Sequence, residues 1–69
     1  MPFYVVNTNA QANGDHEIHT TECEWLPLPQ HQDYLGYHVT CVTAVSAARK
    51  KGYQRANGCF YCSRKCNTG

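Results

Sequence analysis

The sequence predicts a small α+β domain, a β-hairpin or small sheet carrying one main helix, organised about a Cys/His metal centre. Three observations predict it. Short apolar and alternating runs stand near the N-terminus, a helical apolar period occupies the middle, and two chelating pairs, H-x3-C and C-x2-C, flank that period. The 69 residues form a single domain, 1–69. A chain of this size buries only about 60% of the surface its unfolded form exposes. Its core is therefore marginal, and a metal or disulfides are the usual supplement.

Phe3-Tyr4-Val5-Val6 is apolar and β-branched and reads as a strand. Asn13-Gly14-Asp15 is a strong turn signal. His16-Glu17-Ile18-His19-Thr20 then alternates as a half-exposed strand does, so the two runs are expected to pair as a hairpin with a long loop. Trp25-Leu26-Pro27-Leu28-Pro29 is twice broken by proline and is expected to be an extended connector, with Trp25 and Leu26 on the core. Gln30 to Gly36 is expected to hold one helical turn.

The main helix is expected from about Thr40 to Lys51. Thr40 is a good N-cap, and Cys41, Ala44, Val45 and Ala48 make one apolar face. Arg49, Lys50 and Lys51 complement the macrodipole in the last turn, and Gly52 is the left-handed stop. Tyr53 is expected to reach back toward the core. Asn57-Gly58 is expected to form the turn that delivers Cys59. The tyrosines and Trp25 are expected mainly to fill the core.

Zinc takes four sulfur or nitrogen ligands in a tetrahedron at about 2.0–2.3 Å. His19, Cys23, Cys59 and Cys62 are the expected ligands, with Cys66 as an alternative to His19 for the fourth position. Cys41 reads as a small buried hydrophobe. A thiol activated by the helix N-terminus, or a disulfide to Cys23 or Cys66 in an oxidising environment, are its alternatives. His16, His31 and His38 read as solvated or hydrogen-bonded side chains rather than ligands.

The five acids all precede Gly36 and the six bases all follow it. Mutual neutralisation across the fold is the first expectation. A basic nucleic-acid face made of Arg49, Lys50, Lys51, Arg55, Arg64 and Lys65 is the weaker one. The N-terminus has no basic region ahead of a long apolar run, which predicts no signal peptide, no membrane span and a cytoplasmic location.

His19-x3-Cys23, Leu35-Gly36-Tyr37 leading into a helix with Ala44 and Ala48, Lys51-Gly52-Tyr53 and Cys59-x2-Cys62 together resemble the Ada-type metal-binding domain over roughly residues 16–66. The closest likeness is to short uncharacterised bacterial proteins of that type. The resemblance implies a small sheet, helices and a Cys/His zinc centre. In the Ada domain a cysteine at the first ligand position accepts a methyl group. Histidine stands there in this chain, so methyl transfer is not implied.

The function expected from the sequence is a non-enzymatic zinc-binding module that meets nucleic acid or a protein partner, without a small-molecule substrate. A thiol redox protein using Cys59-x2-Cys62 and a metal-free structural domain are the alternatives.

Overall fold

A computed structural model describes residues 2–68. The chain forms β1 (Phe3–Asn7), β2 (His16–Thr20), β3 (Gln32–Tyr37), α1 (Cys41–Lys50) and β4 (Ala56–Gly58), with 3-10 turns at Pro29–His31 and Arg64–Cys66. The strands make one mixed sheet in the order β3-β1-β2-β4. The expected hairpin is present. β1 pairs antiparallel with β2 in the register Tyr4–Thr20, Val5–His19 and Val6–Ile18, and Gly14 turns the connecting loop at φ +92°. β1 is central, and Tyr4, Val5 and Val6 are all buried, as a strand covered on both faces requires.

Side chains alternate between the faces of a strand. Tyr4, Val6 and Ile18 therefore share one face, where they pack with Ala56 and with Cys41, Ala44 and Ala48 of α1. Val5 and His19, opposite one another, belong to the other face. The helix occupies the expected position. Thr40 precedes it in extended conformation without a side-chain cap bond, and Gly52 follows it at φ +110°. Tyr53 packs against the core as expected.

Two strands replace expected turns. Gln32–Tyr37 pairs antiparallel with β1, and only the 3-10 turn before it corresponds to the expected helical turn. Its register slips at Tyr4–Val5, where Leu35 is the extra residue and Gly36 adopts φ +87°. A bulge next to a positive-φ glycine is a normal way to bend an edge strand. Asn57-Gly58 is likewise not a turn: Ala56–Gly58 pairs parallel with β2. This segment has no strand propensity of its own. It is a strand because small side chains let the chain slide beneath the tail. A Cβ on Gly58 would collide with the Ser63 carbonyl oxygen and lie 2.7 Å from Cys66 Cβ.

The expected aromatic core is corrected too. Trp25 is 58% exposed, and Tyr34, Tyr37 and Tyr61 are exposed, whereas Tyr4 is buried. Tyr4, Val6, Ile18 and three alanines fill the space between helix and sheet, and Trp25 lies outside it in the turn beyond β2. A disulfide joins Cys41 to Cys66 and ties the tail to the first turn of α1. Closing 25 residues of separation in the unfolded chain is worth about 3 kcal/mol.

Two ion pairs join the acidic and the basic half. Arg55 Nη2 lies 2.9 Å from Asp15 and Lys51 Nζ lies 2.6 Å from Asp33. Asp33 also accepts from the Tyr53 hydroxyl at 2.9 Å. The Lys51 hydrogen bond, aided by Tyr53, holds the Asp33 carboxyl below its ordinary range against the opposing effect of burial. Among the described residues no helix is long and apolar enough to cross a membrane.

Gly58→Ala should lower stability by about 2 kcal/mol or more, because the clash is with backbone and a cross-linked residue and not with a flexible side-chain tip. Urea unfolding measures this. A loss below about 0.5 kcal/mol would mean that the tail does not sit over β4.

Candidate metal centre

Each chelating pair is built where a strand stops. β2 ends at Thr20, and the chain turns so that the Cys23 N–H donates to the Thr20 carbonyl at 3.1 Å. β4 ends at Gly58, and Cys59 continues its ladder for one bond, its N–H donating to the Ile18 carbonyl at 2.9 Å. The chain then turns sharply, with the Ser63 N–H donating to the Cys59 carbonyl at 2.9 Å. Because β2 and β4 run parallel and adjacent, their C-terminal ends lie side by side. The two turns consequently face each other.

This arrangement gathers one ligand atom each from His19, Cys23, Cys59 and Cys62, all within 4.8 Å of one another. Cys23 Sγ lies 3.9 Å from Cys59 Sγ, and Cys62 Sγ lies 3.9 Å from His19 Nδ1. Ligand distances of 2.3 Å for sulfur and about 2.05 Å for nitrogen give tetrahedral edges of about 3.8 Å and about 3.6 Å. The observed spacing is close to both. It is far longer than a disulfide bond and tighter than unrelated side chains require. The residues fit a metal.

The surroundings of the donors suit that chemistry. Every sulfur accepts a backbone N–H at 3.4 Å: Trp25 N–H to Cys23, Tyr61 N–H to Cys59 and Thr20 N–H to Cys62. Such bonds favour the thiolate over the thiol. His19 is 1% exposed, and burial pushes its pKa down despite the opposing charge of Glu17. The imidazole is thereby kept neutral, as ligation demands. Its Nε2 lies 3.4 Å from Glu17 Oε1 while Nδ1 faces the sulfurs. A carboxylate behind a ligating histidine fixes the ring's orientation and raises its basicity.

The three thiols differ. Burial pushes Cys23 up to about 12, reinforced by its contact with Cys62. Burial also pushes Cys59 up, and Cys59 is 1% exposed. For Cys62 the effect of burial is outweighed by hydrogen bonds from Cys23, the Thr20 N–H, Ser63 and Cys59, and its pKa is lowered.

Cys66 is committed to Cys41, so its sulfur is not available as the alternative fourth ligand. Cys41 is buried, and its thiol is not free at the helix N-terminus. His16 Nδ1 lies 2.8 Å from the Asn7 carbonyl, and His38 lies between Thr43 Oγ1 and the Leu35 carbonyl, so both are engaged away from the centre. Of the six bases, Lys51 and Arg55 are paired with acids, and Arg64 lies over the Phe60 ring at 4.9 Å. Arg49, Lys50 and Lys65 are exposed. Glu17 is the residue that sequence reasoning missed. The available signal was its spacing of two from His19 on a strand, which puts both on one face.

No protein-family model, curated protein or solved structure matches this chain.

Two outcomes are expected. Glu17→Gln should weaken metal affinity by about tenfold or more, read by competition with a chromophoric chelator; an unchanged affinity would show that Glu17 does not steer His19. Because the pKa values of Cys23 and Cys59 are raised, both thiols must lose protons when metal binds, so affinity falls as pH falls. Calorimetry in buffers of different ionisation enthalpy at neutral pH should show about two or more protons released per metal. Release of fewer than about one would contradict the donor set.

Proposed function

We propose that this chain is a non-enzymatic zinc-binding module in which His19, Cys23, Cys59 and Cys62 hold one ion. The observation that carries this reading is the convergence of three sulfurs and one imidazole nitrogen within 4.8 Å. The sulfur-rich donor set favours zinc among common divalent ions, since oxygen-seeking calcium and magnesium would find no carboxylate in it. With four protein donors the site is closed, which is the pattern of a structural ion and not of a catalytic one that keeps a position for water. The ion would hold together the two turns that follow β2 and β4. The likeness of the H-x3-C and C-x2-C layout to Ada-type domains supports the same reading.

We further propose that the module serves a protein partner rather than nucleic acid. Half of the six bases are already engaged by Asp33, Asp15 and Phe60, which leaves little continuous positive surface for phosphate. A cytoplasmic location belongs to the same proposal.

A thiol redox role for Cys59 and Cys62 is the competing reading, favoured by the lowered pKa of Cys62. Against it, Cys59 is 1% exposed with a raised pKa, and the C-x2-C pair opens a turn after β4 and does not start a helix.

Protein purified without chelator should contain one zinc per chain. Removing it with a strong chelator in the presence of reductant should lower the melting temperature by about 10 °C or more, and Cys59→Ser should lose the metal. A chain that folds equally well without metal, and takes up none when zinc is restored, would contradict the proposal.

A further inference from the structure

The metal centre opens on a cleft of about 440 Å³, lined by Cys23 and Cys62 and, above them, by Glu22, Glu24, Trp25 and Tyr61. Trp25 and Tyr61 come from the two facing turns. Their rings stack with centroids 4.9 Å apart and an interplanar angle of 24°, yet they remain 58% and 65% exposed. Two large rings are therefore aligned side by side and left wet, unlike the rings that pack under α1.

The charges of this cleft are as distinctive as its rings. Three of the five acids have partners within the chain: Asp15 has Arg55, Asp33 has Lys51, and Glu17 has His19. Glu22 and Glu24 have no side-chain partner among the described residues, and both line this one cleft. No basic side chain lines it. Phosphate would meet two carboxylates there, so nucleic acid is disfavoured on the same face where its bases might have stacked.

We infer that the cleft is a docking site for an arginine-bearing segment of a protein partner, the guanidinium stacking on Trp25 and pairing with Glu22 and Glu24. Guanidinium is planar, delocalised and weakly hydrated, so it stacks on an aromatic face more readily than an ammonium does. Tryptophan is the best aromatic partner for a cation, and a carboxylate accepts two parallel N–H bonds from the guanidinium fork. The cleft volume falls within the roughly 300–1,000 Å³ range of ligand sites. The inference rests on the metal-module reading, because the ion would fix the two turns that carry Trp25 and Tyr61.

Trp25 is the only tryptophan, so its fluorescence reports directly on the cleft. The full chain, with its metal content measured in the same sample, is titrated at low salt with an Arg-Gly-Arg tripeptide amide and with its citrulline counterpart. A saturable change with the arginine peptide is expected, at least about tenfold weaker with citrulline, which keeps the shape and loses the charge. Glu22→Gln/Glu24→Gln should weaken binding about tenfold while leaving the circular dichroism spectrum and metal content unchanged. Trp25→Leu, followed by calorimetry, should weaken it similarly. A metal-bound protein with no saturable response up to millimolar peptide would overturn the inference and leave the metal reading standing. Equal binding of citrulline peptide, or unaltered binding by the double variant, would also overturn it. So would tighter binding of a single-stranded oligonucleotide, or a concentration-dependent change without peptide, which would make a second copy the occupant. A sample that holds no metal and binds no peptide would remove both readings together.

Discussion

The parallel pairing of β4 with β2 is the constraint on which the candidate site depends. Three residues with no strand propensity, Ala56-Asn57-Gly58, run alongside His16-Glu17-Ile18 and stop two residues short of the end of β2. That places Cys59 against the Ile18 carbonyl, one residue from His19. Without this register the C-x2-C turn would have no reason to meet the H-x3-C turn. The pairing is itself secured by small side chains and by buried polar groups. Asn57, buried, donates to Asp15 and accepts from the Thr68 N–H and hydroxyl, so both its amide nitrogen and its amide oxygen are hydrogen-bonded. Gly58 lets the tail pass over it, and Asn67 donates to the Gly58 carbonyl at 2.9 Å.

The fold divides its cross-links between two sides. Toward α1, the small cluster of Tyr4, Val6, Ile18 and alanines is supplemented by the Cys41–Cys66 bond. At the ends of β2 and β4 the buried donors His19 and Cys59 meet Cys23 and Cys62. Three residues separate Cys62 from Cys66, so a single short tail serves both. A core this small offers little stability by area alone. Both devices act on the same weakness, by tying the C-terminal segment to the rest of the fold.

Much of this was legible in the residues. The hairpin follows from alternation and from Asn13-Gly14, and the helix follows from its period and its glycine stop. The ligand pairs could be proposed from spacing, because chelation by neighbouring residues is a local property. What was not legible is tertiary in origin. β3 was hidden by Gly36, which looks like a terminator but serves a bulge. β4 was hidden because its strand character comes from what lies over it. Trp25 was expected inside on the general rule for large apolar side chains. It lies in the turn beyond β2, stacked on Tyr61 and outside the cluster under α1. Cys66 was ambiguous between ligand and disulfide until the tail's path placed it beside Cys41.

The most direct test of a shared ion between the two turns is zinc X-ray absorption on protein purified from zinc-supplied cells without chelator. The account predicts a four-coordinate shell of three sulfurs at about 2.3 Å and one nitrogen at about 2.0–2.1 Å. Shells dominated by oxygen, or zinc in far less than equimolar amount, would contradict it.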